Sequence, residues 1–198
     1  ANTYFQENRE RERARSGFFL NNGVEWYIND NNSVIGSFFY NRADSDNIQN
    51  NIINEVDGFG GIILNQTIQS ENEYTDDFNR EYNFNYETKF NDSGHKLTID
   101  LQYDNSEDFE NGEVIRDEIL DEIIETKEEN KSYLVKVDYV YPIDENKQFE
   151  AGIRISEDDD ITDYKVFENI DSEIIEDINQ SNIFQYREQI NALYAQYG

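Results

Sequence analysis

Three short turn signals, Asn29–Ser33, Asn91–Gly94 and Asp144–Lys147, each separate two runs in which apolar and polar side chains alternate. Alternation with a period of two is the signature of a strand that sends successive side chains to opposite faces. Tyr133, Val135, Val137, Tyr139 and Tyr141 share one parity, against Lys136 and Asp138, with Leu134 and Val140 as exceptions. Beyond Asp144–Lys147, Phe149, Ala151, Ile153 and Ile155 alternate with Gln148, Glu150, Gly152, Arg154 and Ser156. The middle hairpin repeats the pattern: Tyr82, Phe84, Tyr86 and Phe90 precede the turn, and Leu97, Ile99, Leu101 and Tyr103 follow it. In the first hairpin Phe18, Leu20, Val24, Trp26 and Ile28 share a parity that Phe19 and Tyr27 break, and Val34 to Tyr40 is apolar on both parities. A last run sets Phe184, Tyr186, Ile190, Ala192 and Tyr194 against Gln185, Arg187, Gln189 and Asn191. These runs predict about seven long antiparallel strands.

Between the hairpins lie long connections rich in Asp, Glu and Asn: Ser45–Asn72, Asn105–Lys131 and Glu157–Asn182. Tight turns on one side and long acidic connections on the other are what a membrane-spanning up-and-down barrel requires. A soluble sheet needs a second layer over its apolar face, and no second set of strands is evident. In a barrel, lipid covers that face, and Lys136, Asp138, Glu150 and Arg154 line the lumen. Trp26, Phe90, Tyr139 and Tyr141 near the tight turns fit one aromatic girdle. Phe18, Tyr82, Tyr103, Tyr133, Phe184 and Tyr186 near the far ends fit a second.

Each long connection also carries isoleucines at helical spacing: Ile48, Ile52, Ile53 and Val56; Ile115, Ile119, Leu120, Ile123 and Ile124; Ile170, Ile174, Ile175 and Ile178. Spacings of three and four place each set on one helical face. Short loop helices and strand extensions with apolar tips both accommodate them.

Composition narrows the function classes. The chain has 198 residues and a net charge of −28, which excludes the Lys/Arg stripes that nucleic acid needs. Such a charge often signals disorder, but 14 Tyr and 13 Phe argue for folded strands. No cysteine is present, so there is neither a disulfide framework nor a thiolate metal site. No apolar run reaches the length of a transmembrane helix. One proline, Pro142, suits extensive sheet. The absence of methionine, even at Ala1, predicts an internal piece of a longer chain: one barrel segment over 1–198, with no plug visible.

Chemistry-bearing motifs are sparse. The single histidine, His95, ends a tight turn and reads as a surface residue without a positioned partner. Asp158, Asp159, Asp160 and Asp163 offer oxygen ligands to calcium but lack the glycine and terminal Glu of an EF-hand, so a solvated acidic loop is the better reading. Arg9-Glu-Arg-Glu-Arg-Ala-Arg15 is the one basic cluster, either a lumen-facing ladder or a surface segment near anionic headgroups. Asn65-Gln-Thr67, Asn91-Asp-Ser93 and Asn130-Lys-Ser132 match a glycosylation sequon short enough to arise by chance. No residue is assigned as catalytic or as a metal ligand, no ligand contact is assigned, no cofactor is expected, and enzyme activity is not expected.

Several phrases stand out: Trp26-Tyr-Ile-Asn-Asp-Asn-Asn-Ser-Val-Ile-Gly-Ser-Phe-Phe-Tyr-Asn41, Gly94-His-Lys-Leu-Thr-Ile-Asp-Leu-Gln-Tyr103, Tyr133-Leu-Val-Lys-Val-Asp-Tyr-Val-Tyr-Pro142, Lys147-Gln-Phe-Glu-Ala-Gly-Ile-Arg154 and Phe184 to Tyr197. They resemble barrel hairpins of TonB-dependent receptors from Bacteroidetes-type bacteria. The resemblance implies a large outer-membrane barrel, commonly plugged, that takes up a small nutrient ligand with energy delivered through TonB. It implies outer-membrane lipid as a partner and the TonB complex as another, reached through parts of the protein outside this chain. The competing reading is a soluble acidic β-rich binding or structural module at the cell surface; a secreted hydrolase would require a focused carboxylate pair.

Overall fold

A computed structural model describes residues 3–58 and 61–198. Eight strands make one sheet: β1 (Thr3–Asn29), β2 (Asn32–Asp57), β3 (Ile62–Lys89), β4 (Lys96–Arg116), β5 (Ile119–Asp144), β6 (Lys147–Ile170), β7 (Glu173–Glu176) and β8 (Asn182–Tyr197). Every pairing is antiparallel. β1 to β6 follow one another as a meander, and β7 and β8 both pair with β6. The sheet is not closed; β1 forms one edge, and β7 and β8 share the other.

Each tight turn is closed by the same local device. Asn29 Oδ1 accepts the Asn31 N–H at 3.0 Å, Asn91 Oδ1 accepts the Ser93 N–H at 3.0 Å, and Asp144 Oδ1 accepts the Asn146 N–H at 2.9 Å. An Asn or Asp side chain that bonds two residues on fixes a turn without help from the rest of the fold. Gly94 adds a left-handed φ of 90°.

The long acidic connections are paired strands, and the helix reading is overturned. Ile115, Ile119, Leu120, Ile123 and Ile124 sit on the two arms of a hairpin whose turn residues, Asp117 and Glu118, have φ of 50° and 68°. Asp171 and Ser172, at 53° and 72°, close the β6–β7 hairpin in the same way. Two positive φ values match the type I′ turn, whose twist suits a hairpin. A two-residue reversal moves isoleucines onto a neighbouring strand, which in linear sequence imitates spacings of three and four. The tip joining β2 to β3 lies partly outside the described residues. The eighth strand, β7, falls inside the third connection.

Directly opposed residues share a face, so the registers sort every side chain. One face carries the row Val24–Gly36–Phe84–Leu101–Val135–Ile155 and, two residues along, Trp26–Val34–Tyr86–Ile99–Val137–Ile153–Leu193. The row between them, on the other face, is Glu25–Ile35–Asn85–Asp100–Lys136–Arg154–Ala192. Among described residues only Ala43, Val56 and Val166 are buried apolar side chains. A single layer with so small a core leaves its apolar face to be covered from outside.

Aromatics bound the apolar zone. Phe38, Tyr82, Tyr103 and Tyr133 lie side by side across four strands, with ring centroids 4.9, 6.1 and 4.9 Å apart. Near the tight turns, His95 packs against Phe90, Tyr139 and Tyr141 at 4.4, 5.3 and 5.0 Å. From Tyr133 to Tyr141 is nine residues, within the roughly 9–11 that a tilted strand needs to cross a bilayer. Beyond the first belt, β3 continues through Ile62–Glu81, an extension of roughly 65 Å at about 3.3 Å per residue.

Phe184 and Tyr186 depart from the expected girdle. β7 pairs Glu176 with Phe167, whereas β8 starts by pairing Asn182 with Tyr164. Five residues, Asp177–Ser181, therefore face two, Lys165 and Val166, and the net excess is odd. An odd excess exchanges faces. It places Phe184, Tyr186, Ile190, Ala192 and Tyr194 on the polar face, beside Thr162, Asp160, Ser156, Arg154 and Gly152. Leu193, Ala195 and Tyr197 take the apolar face instead.

Candidate functional site: the acidic polar wall

The polar face continues unbroken from the tight turns to the far tips. Within the apolar zone it carries compact polar pairs. Lys136 Nζ is 2.5 Å from Asp138 Oδ2, and Asn85 Nδ2 donates to Asp100 Oδ1 at 2.6 Å. All four lie on the face expected to line the lumen, as do Glu150 and Arg154.

Above the Phe38–Tyr133 belt the same face becomes strongly acidic. Asp77, Asp108 and Glu128 stand directly opposite one another on β3, β4 and β5. Like charges at opposed positions repel. Partial burial pushes the Asp108 carboxyl up from the ordinary range, and Asp77 and Glu128 push it further. Glu110 is raised by burial, then by Glu73 and Glu128. Asp104, one step above the belt, is raised by burial and by Glu81.

Opposing charge comes from β1. Arg9, Arg11, Arg13 and Arg15 share the polar face, as the ladder reading of the basic cluster expects. Arg11 Nε donates to Asn47 Oδ1 at 2.7 Å and Arg9 Nε to Asn51 Oδ1 at 3.2 Å. Arg15 reaches across β2 to Asp77 at 3.2 Å. The polar face is thus a basic edge beside a broad acidic field.

Two sequence candidates are dispersed by strand geometry. Asp158 and Asp160 lie on the polar face, and Asp159 and Asp163 on the other, so the run does not converge on one ion. Among described residues no group of three His, Asp or Glu side chains is arranged to hold a metal. His95 is no isolated surface group: its Nε2 lies 2.8 Å from the Tyr139 hydroxyl within the aromatic cluster. Hydropathy misses that contact, because it joins residues 44 apart.

A family model described as the outer membrane protein beta-barrel family matches residues 88–198. Among solved structures, the chain is similar to the ferric yersiniabactin uptake receptor FyuA from Yersinia pestis, with 9% identity and a TM-score of 0.44, over 84% of this chain and 24% of that one. The chain thus spans about a quarter of that receptor's length. No curated protein matches.

Proposed function

Because the chain belongs to the outer membrane protein β-barrel family, and so resides in a bacterial outer membrane, we propose that it forms part of the wall of a TonB-dependent receptor that takes up a small nutrient ligand. Membership in that family sets aside the soluble surface module and points to a non-enzymatic role. The acidic wall rising above the aromatic belt is the observation that carries the proposal. Strands that run on far beyond the bilayer, with Asp77, Asp108 and Glu128 on the polar face, furnish a charged vestibule over a barrel mouth. Eight strands leave the sheet open, so further strands of the same receptor complete the barrel. Plug and TonB contact belong to those further parts.

The test compares solutes removed from the medium by cells with and without the parent gene, in backgrounds with and without a working TonB complex. A small set of solutes depleted only when both are present is the expected result. Depletion that ignores the TonB background refutes energised uptake, and no depletion at all refutes transport.

A further inference from the structure

The edge of β1 is open along 27 residues, and every one of them is exposed. An antiparallel strand turns its backbone N–H and C=O groups to alternate sides, so about half of those in β1 point away from β2. Native proteins cover or blunt such an edge, and a barrel abolishes it.

The charges on this edge are ordered. From Arg9 to Arg13 the sign alternates at every residue, with Arg9, Arg11 and Arg13 on the polar face and Glu10 and Glu12 on the other. β2 answers none of them. Opposite the block stand Asn51, Asn50, Gln49, Ile48 and Asn47, all uncharged. Asn51 and Asn47, 4% and 7% exposed, accept only the Nε–H of Arg9 and Arg11. Arg9 also reaches Glu7 on its own strand at 2.8 Å. Among described residues no carboxylate pairs with Arg11 or Arg13, and the Nη groups of Arg11 and the guanidinium of Arg13 make no hydrogen bond.

The interior of the sheet shows what β1 lacks. Each of the three lysines of β5 faces a carboxylate on one adjacent strand: Lys136 faces Asp100, Lys131 faces Asp159 and Lys127 faces Asp163. On the other adjacent strand the same lysines face Arg154, Asn105 and Phe109. A cation here thus has a carboxylate across from it on one side only. Arg9, Arg11 and Arg13 have the side without one, towards β2, and their other side is the open edge.

We infer that β1 is a charge-coded docking edge. Its partner is an antiparallel strand of the parent protein, outside this chain. That strand carries carboxylates on the polar face opposite Arg9, Arg11 and Arg13, and a Lys or Arg on the other face opposite Glu10 or Glu12. Opposite charges at directly opposed positions attract and like charges repel. A slip of one residue sets like against like along the whole block and exchanges the faces, so the block selects both partner and register. It lies beyond Phe18, outside the apolar zone, where no lipid enforces alternation. The inference rests on the reading that further strands of the same protein complete the barrel, and not on what the barrel transports.

The test uses the full parent protein in its outer membrane. A photo-crosslinking residue replaces Ala14, next to the block, and the linked peptide is read by mass spectrometry. The expected link is intramolecular, to a segment outside residues 1–198 in which carboxylates recur at every second position. A link to β8 means that this sheet closes on itself, a linked segment without such carboxylates removes the code, and links only to lipid or to another protein mean a free edge. Each of these overturns the inference, and this arm decides even if charge variants fail to fold. Arg11→Glu with Arg13→Glu is expected to raise the unfolding equilibrium constant in detergent by roughly tenfold or more. Reversing the matching carboxylates of the linked segment to lysine is expected to restore it. An unchanged constant, or a loss that the matching reversals leave unrepaired, overturns the pairing. Solute depletion is measured separately, so a barrel that takes up nothing leaves this result standing.

Discussion

The Tyr194 hydroxyl donates to Asp138 Oδ1 at 2.6 Å, spanning from β8 to β5 across the whole width of β6. The ring crosses at Gly152, where a Cβ would lie 2.4 Å from Tyr194 Cε1 and 2.7 Å from the Val137 carbonyl oxygen. The absence of a side chain at Gly152 is what lets the contact form. Gly152→Ala is therefore expected to push Tyr194 off Asp138 and to destabilise the sheet by roughly 1–3 kcal/mol. Urea unfolding of the parent barrel in detergent checks it, and an unchanged midpoint would show that the ring accommodates the methyl.

The odd bulge at Asp177–Ser181 assigns the faces of β8. Val166 N–H donates to Ser181 Oγ at 3.1 Å, and Asp177 N–H to the Val166 carbonyl at 2.8 Å, pinning the bulge at both ends. The chain has no cysteine, so single replacements report cleanly. Ala192→Cys is expected to react with a water-borne thiol reagent, and Leu193→Cys, 83% exposed on the lipid-facing side, is expected to be shielded once in a bilayer. The reverse pattern would mean that β8 pairs one residue out of this register.

Val137 and Lys136 are neighbours on opposite faces, at the middle of the apolar zone. Val137→Arg is expected to cost roughly 2–4 kcal/mol, the charge being placed at mid-bilayer on the lipid side. Lys136→Arg keeps its charge on the polar face and is expected to change folding little. Equal effects in reversible folding into vesicles would contradict the assignment of faces.

Asp108 and Glu110 share a neighbour, Glu128, that raises both carboxyls. With the folded pKa above the unfolded one, the folded state holds extra protons in the window between them. Stability from these groups is accordingly greatest below the ordinary carboxylate range and declines as pH rises through the raised values. Glu128→Gln is expected to move both carboxyls back toward ordinary values and to flatten that decline. Carboxyl-resolved NMR titration of the parent in detergent reads it, and unmoved Asp108 and Glu110 would leave burial, with Asp77 and Glu73, as the causes.

Much of the wall is legible in the sequence alone. Phe84, Leu101, Val135 and Ile155 could be placed on one face from parity alone, because a strand in lipid must be apolar at every second residue over the bilayer. The turns at Asn29, Asn91 and Asp144 were equally legible, since each is closed by its own side chain within a few residues. The isoleucine sets misled because they lie at strand tips above the bilayer, where no environment enforces a period of two and the reversal at Asp117–Glu118 carries no glycine. The site was least legible. Charges on the acidic wall are too many to single out, and only register sets Asp77 against Asp108 and Glu128.

Sequence by itself determined the antiparallel strands, the lipid-facing parity of β3 to β6, and the tight rim, since each depends on contacts within one strand or one turn. Tertiary structure alone decided the face of Phe184 and Tyr186, the ladder formed by Arg9 to Arg15, and the closeness of Tyr194 to Asp138. Those depend on register between strands, and register depends on how many residues a bulge inserts, which local alternation does not encode.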